Sequence, residues 1–491
     1  MSFHDQFVLA QGPRAHPQGW GERTAHGWTL ASHPSLPVVP LLEGDGRTAG
    51  WLLGWVVAED GALLHERASL PVEAVTGPGG TGADPGAVED HLYRWAGRWA
   101  CLLLRGRARL HLDPAGSLAV VHSLAERAVA STTTVLRWGD PELARRWERR
   151  TLRRSGYHPA GVTSAEGVQR LLPNHYLDLA SFEPVRHWPT APLEPVSSAA
   201  ATAERVEVVA GAVRHLLVSL AARHELLLPL TAGRDSRLVA AAARPVLDRT
   251  TFVTFGYEDD RRTDVSFARE VARRHHLDLR VLPLPPVPEA DARRYLERVG
   301  YDAHEGKARD FDLAARALPL DRAWVTGFAG EVGGAPYWRG TDVPAAPRPD
   351  ELLRLVRLPP DERHEDALAR WLKEVPHRDV HDLLDLAYLE MRVGCWAGPQ
   401  LYGAAPFTLS AIAVNSRAAF TAMLQLPLEH RRRRELPPAA TRLLWPELAR
   451  PPYGRAPGVR GWPVALRRTA GAARARLALG TRAARLTGRS G

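Results

Sequence analysis

Hydrophobic and polar positions divide this chain near residue 190. Before it, short apolar runs alternate with Gly- and Pro-bearing turns: "WLLGWVVAEDGALL", "ACLLLRGRARLHLDPAGSLAVVHS", "VASTTTVLRW" and "NHYLDL". Runs so spaced predict the strands of an antiparallel region with one or two helices. "LEPVSSAAATAE" follows, rich in Pro, Ser and Ala and without alternation, and predicts a linker.

Beyond residue 200 the period changes. Val209, Val213, Leu216, Leu217 and Leu220 recur at helical spacing. Leu226–Leu230 predicts a short strand, followed by a helix that Pro245 ends. "TTFVTF" predicts a second strand, Asp264 to His276 a helix, "LRVLPL" a third strand and "AWVTG" a fourth. Strands alternating with helices imply a parallel sheet that binds ligands beyond the C-terminal ends of its strands. Pro229 is awkward there, because a proline in a central strand loses a ladder hydrogen bond. Residues 348–430 read as helical, most clearly in "DLLDLAYLEMRVGCWAG".

Composition narrows the class. A chain of 491 residues exceeds one ordinary core, so two or three domains are expected. No apolar run is long enough for a bilayer, and the first 25 residues hold no basic-then-apolar signal pattern. Cys101 and Cys395 are too few for a disulfide framework or a cysteine zinc site, so the expected compartment is the cytoplasm. After Glu447 there are ten arginines and no acid, which accounts for the whole net charge of +9 and leaves a body near neutrality. That Ala/Arg-rich tail reads either as a solvated C-terminal helix or as a segment that coats an anionic surface, membrane or nucleic acid. Lys307 and Lys373 are the two lysines among 64 basic residues, which removes candidate catalytic lysines.

Three phosphate loops compete. A Walker loop needs Gly-Lys-Ser/Thr, and Lys307 is followed by Ala308. "GPGGTG" at 77–82 has the glycine spacing of a dinucleotide loop, but contains Pro78 and follows no apolar strand. The third is Thr231-Ala232-Gly233-Arg234-Asp235-Ser236, between a strand and a helix. Its small residues let the backbone approach phosphates, its hydroxyls and helix N–H groups grip an anion, and Asp235 can ligate the cation a polyphosphate carries. Without a ligand, the same turn is a capped helix start.

This turn resembles the S-G-G-x-D-S pyrophosphate loop of the ATP pyrophosphatase family. End to end, the chain resembles the class B asparagine synthetase-like family. Gly97-Arg98-Trp99-Ala100, Asp113-Pro114-Ala115-Gly116, Ala130-Ser131, "GYHPAGVTSAEGVQRLLPNHYLDL" and "RHWP" resemble landmarks of its glutaminase-type domain. "FVTFGYEDDRRTDVSFAREVARRHHLDL" resembles the adenine-side strand and helix, and "WVTGFAGEVGG" the Gly-x-Gly-x-Asp-Glu-x-x-Gly-Gly signature. "LEMRVGCWAGPQLYGAAPF" and "LLWPELARPPYGR" resemble C-terminal landmarks. The resemblance implies an Ntn-like antiparallel sandwich over 1–190, an adenine nucleotide α-hydrolase-like parallel sheet with helices over 191–455, and a basic tail over 456–491. It implies ATP at Leu230, Thr231, Ala232, Gly233, Asp235, Ser236, Thr254, Phe255 and Gly327, and Mg²⁺ at Asp235 and Glu331. Glu390 matches a substrate-side acid, or is a helix-surface glutamate, and Arg455 is the nearest stand-in for a transition-state lysine.

Departures shape the expected activity. The family's N-terminal Cys nucleophile is Ser2 here, and no Asn precedes Asn174 to supply the oxyanion pair, so no glutamine hydrolysis is expected. Ala232 replaces a glycine, and Phe328 falls where relatives carry Glu or Tyr; a phenyl ring moves no proton. His275, His276 and the "RHED" segment at 363–366 read as surface, without a complete metal set. The expectation is an AMP-forming ligase that adenylates a small-molecule or peptide carboxylate and couples it to ammonia or an amine. Its rivals are an ammonia-dependent asparagine synthase, a tRNA-thiolating relative and a non-catalytic nucleotide-binding scaffold.

Overall fold

The computed structural model describes residues 3–77, 86–140, 142, 157–256, 262–283, 287–303, 312, 314–318, 322–406 and 408–454. Ser2, most of the 77–82 glycine run, Lys307, Arg455 and the arginine tail lie outside the described residues.

The first half supplies two sheets. One is six-stranded and antiparallel: β1 (Phe7–Gln11), β2 (Gly21–Ala25), β3 (Trp28–Ser32), β9 (Val121–Ser123), β10 (Ala128–Ala130) and β11 (Gln169–Arg170), in the order β11-β9-β10-β1-β3-β2. The other comprises β4 (Val38–Leu42), β5 (Thr48–Val57), β6 (Leu70–Pro71), β7 (Ala96–Leu103), β8 (Arg109–Leu112), β12 (His175–Asp178) and β13 (Pro184–Arg186), in the order β13-β12-β8-β7-β5-β4-β6. Its pairs are antiparallel except β4 with β6. Period-two alternation sorts the side chains of β5 and β7 to opposite faces. Trp51, Leu53 and Leu102 join Leu9 and Leu30 of the six-stranded sheet in one buried cluster. Leu52, Cys101 and Leu103 instead pack with Val75, Val88 and Leu92, from the short helices Glu73–Thr76 and Ala87–Leu92. "VASTTTVLRW" is a strand only as far as Ala130; Thr132 then caps a helical turn over Thr133–Leu136.

The second half of the expected linker is helix. Ser198 accepts the Ala201 N–H at 3.0 Å and starts a helix over Ala199–Ala221, because a serine cap followed by alanines favours a helix over coil. Next come β14 (Glu225–Pro229), β15 (Thr250–Gly256), β16 (Leu279–Pro283), β17 (Arg322–Thr326) and β18 (Ser410–Ile412), all parallel, in the order β16-β15-β14-β17-β18. Successive strands run outward from β14 to β16, and β17 then starts on the other side. The sheet therefore reverses its winding between β14 and β17, where open parallel sheets form a crevice. Pairing between these two strands ends at Leu227 with Trp324, although both continue further. Pro229 lies past that point and is flanked by β15 alone, so the proline costs the sheet little. β18 interrupts the stretch expected to be wholly helical, since three residues carry too little pattern to betray a strand.

Side chains of both halves meet around Asn415. Its Oδ1 accepts the Ala115 N–H at 2.9 Å, and its Nδ2 donates to Asp113 at 2.7 Å and Ser117 at 3.1 Å. A Cβ at Gly398 would lie 2.4 Å from the Gly116 carbonyl, so this close approach requires glycine. The Asp-Pro-Ala-Gly stretch thus serves as a seam between the halves.

Candidate functional site

The Thr231–Ser236 turn joins β14 to a helix over Arg234–Ala242 at the mouth of the crevice. Thr231 Oγ1 lies 2.6 Å from Ser236 Oγ and accepts the Gly233 N–H at 3.1 Å, while Asp264 accepts the Ala232 N–H at 2.9 Å. The turn is braced from the far end of the chain. Arg237 donates to the Pro451 and Pro452 carbonyls, each at 2.6 Å, and its guanidinium lies 4.0 Å from the ring centres of Phe267 and Tyr453. Gly454 N–H donates to Ala232 at 2.9 Å, so the described chain ends against the loop. Thr254 and Phe255 lie near the end of neighbouring β15, and the buried Thr254 hydroxyl has no hydrogen-bond partner among the described residues.

The loop after β17 faces this turn. A Cβ at Gly330 would stand 2.8 Å from Asp235 Cγ, and one at Gly327 would stand 3.3 Å from Asp235 Cβ. Glycine at 330 is thus what lets Glu331 and Asp235 share one end of the cleft. Arg434 sits between the two acids, 2.6 Å from Glu331 and 3.7 Å from Asp235. Burial, with a smaller push from Glu331, raises the Asp235 carboxyl to about 6, although Arg434 and Arg234 oppose the shift. Its Oδ1 is buried without a hydrogen-bond partner among the described residues. Two acids and one orphaned oxygen suit a divalent cation at Asp235 and Glu331 once Arg434, which now pairs with both, gives way.

A cavity of about 560 Å³ opens from these acids. Gly327 to Glu331 form one wall, and Tyr388, Arg392 and Trp396 another. The latter three lie four apart on a ten-residue π-helix over Tyr388–Ala397, a rare element that is frequent at functional sites. Arg392 lies 3.7 Å over Trp396, and Phe328 packs 5.6 Å from the same indole. Arg339 and Arg357 also line the cavity, giving it a cationic character suited to an anionic guest. Tyr157, Tyr337 and Tyr388 also line the cavity; burial holds their phenols above the ordinary range, so they stay protonated, and the Tyr157 and Tyr337 hydroxyls lie 3.4 Å apart. Ala329 and Arg357 adopt left-handed backbones with φ of 67° and 63°. Each costs roughly 1–2 kcal/mol in a non-glycine residue, and such strain gathers at binding sites.

No known protein-family model and no curated protein matches this chain.

The structure thus brings together Thr231, Ala232, Gly233, Asp235, Ser236, Gly327 and Glu331, with Leu230, Thr254 and Phe255 on the adjoining strand ends. It does not bring Glu390 to them. Glu390 is fully buried; its oxygens meet Arg186 at 2.5 and 2.9 Å, Asn174 at 2.8 Å and Trp371 at 2.6 Å. Neither expectation for it holds: it is no surface glutamate, and as an acid saturated by four donors away from the cavity it has no lone pair for a substrate. His364 is corrected too, since it is buried and 2.9 Å from His158 rather than at the surface. Arg434 and the Tyr388–Arg392–Trp396 face escaped sequence reading. Arg434 hides in a run of four arginines, whereas the four-residue spacing of the other three was the signal available.

Proposed function

We propose that this chain is an ATP- and Mg²⁺-dependent, AMP-forming carbon–nitrogen ligase of the asparagine synthetase type. The observation that carries the reading is the meeting of the Thr231–Ser236 turn with Gly327–Glu331 where the sheet reverses its winding. The turn would hold the β,γ-phosphates on its hydroxyls and helix N–H groups. Asp235 and Glu331 would hold Mg²⁺, which, when bound, offsets polyphosphate charge. The cavity then takes the acid. Its carboxylate oxygen bonds to the α-phosphorus as pyrophosphate leaves; an amine nitrogen next bonds to the acyl carbon as AMP leaves, and the amine's surplus proton passes to solvent.

The residue 191–455 region is read as adenine nucleotide α-hydrolase-like, supported by its five parallel strands. The 1–190 region is read as an Ntn-like domain without glutaminase activity, supported by two facing sheets. Free ammonia or an amine on the substrate supplies nitrogen.

Labelled pyrophosphate should exchange into ATP in the presence of a cognate acid, and the complete reaction should release AMP. Release of ADP and phosphate would overturn the mechanism. A non-catalytic nucleotide-binding role is favoured by one observation: Phe328 faces the cavity where relatives place a proton-moving group. ATP binding without exchange, for any acid supplied, selects that reading.

A further inference from the structure

A second cluster lies at the seam between the halves, outside the cleft. His65 and Glu66 belong to a helical turn over Leu64–Glu66 that follows β5. His224 sits in the turn between the Ala199–Ala221 helix and β14. One ligand atom from each of His65, Glu66 and His224 lies within 4.8 Å of the other two. The Nε2 atoms of both histidines are buried and without a hydrogen-bond partner among the described residues. Two orphaned imidazole nitrogens beside a carboxylate are costly in an apolar setting unless something else satisfies them.

We propose that His65, Glu66 and His224 bind a divalent cation of the zinc class, with water as the remaining ligand. Two imidazoles and a carboxylate form an N₂O donor set that suits zinc and disfavours Mg²⁺ or Ca²⁺, which prefer oxygen. His65 Nδ1 lies 3.2 Å from the Val56 N–H and 3.4 Å from the Val56 carbonyl; metal binding selects the tautomer in which Nδ1 donates to the carbonyl, leaving the Nε2 lone pair for the cation. Trp55 packs edge-on against both rings, 4.5 Å from His65 and 5.4 Å from His224, and fixes their planes.

The seam is already pinned here. His215 meets the Ala58 carbonyl at 2.9 Å, and Arg223 meets Glu66 at 3.2 Å. Donors bound ~2.0–2.2 Å from one zinc ion stand closer together than the 4.8 Å within which the three ligand atoms already lie, so small side-chain movements complete the site. Glu66 exchanges its contact with the exposed Arg223, a pair of little worth, for the metal. The cation thereby clamps β5 to the segment that leads into the Thr231 turn.

The full chain, stripped with a chelator and dialysed, is titrated with Zn²⁺ against a colorimetric chelator and separately with Co²⁺. One tight equivalent is expected, with the visible absorption of four-coordinate cobalt and a higher thermal midpoint. His224→Gln and His65→Gln should each weaken that equivalent at least tenfold and abolish the midpoint rise, while His26→Gln, on an exposed turn, should change neither. Circular dichroism of the metal-free variants checks their fold, and Glu66→Gln serves if either histidine variant fails to fold. No tight equivalent in the native chain, or one retained in all the variants that fold, overturns the site.

Discussion

Asp235→Asn separates the proton from the cation at the proposed cleft. The Asp235 carboxyl is held up to about 6, chiefly by burial, against an ordinary value of 3.8. A cation competes with the proton for that carboxylate. Roughly nine-tenths of molecules carry the charge at about pH 7 and roughly one-tenth at about pH 5, so this group alone lowers Mg·ATP affinity about tenfold across that span. The terminal phosphate of ATP titrates in the same range, which is why the variant is the necessary reference. Asparagine preserves size but removes both charge and proton. Calorimetric titration at several pH values should show weaker binding by the variant near neutrality, and an advantage of the native protein that shrinks about tenfold towards pH 5. Stability should move the other way. A carboxyl raised in the folded state stabilises the fold while protonated, and that contribution is lost as pH climbs from 3.8 through about 6. The ligand-free variant should therefore be more stable at neutral pH, by on the order of 3 kcal/mol. A constant ratio of affinities across the range, or native affinity in Asp235→Asn, would refute the assignment of this carboxylate.

Three other outcomes rest on the same geometry, and one on the sequence. Glu390→Ala leaves Arg186 buried without its acid, which should cost about 3–5 kcal/mol by denaturant unfolding; Mg·ATP affinity of the folded fraction should stay native, and a selective loss of amide formation would restore a catalytic role. Gly330→Ala drives a Cβ to within 2.8 Å of Asp235 Cγ, and calorimetry should show about tenfold or more loss of nucleotide affinity. Asn415→Leu strips acceptors and donors from Asp113, Ser117 and Ala115 and should lower stability by about 1–3 kcal/mol or more, read as the midpoint of chemical unfolding. Deleting residues 456–491 should remove most affinity for anionic liposomes or nucleic acid, an affinity that is steeply salt-dependent beforehand; no binding of either by the full chain at low salt marks the tail as solvated only.

Local chemistry was legible along the chain. The turn at Thr231–Ser236 and the loop at Gly327–Glu331 each continue directly from a strand, and such joints are written in neighbouring residues: an apolar run, small residues, then a cap. The parallel strands showed for the same reason, apart from β18. Partners distant in sequence did not show. Glu390 meets Asn174 and Arg186, which lie 216 and 204 residues away, so a lone acid in an apolar helix could be read only as surface or substrate-facing. Which arginine of the 431–434 run reaches the acids depended on the left-handed turn at Arg434, with φ of 55°. Most elements, and the chemistry each could carry, were readable along the chain because backbone preference and side-chain period act over a few residues. Only the tertiary structure decided which charges neutralise one another and which stay free at the cleft, because burial and pairing are set by side chains hundreds of positions apart.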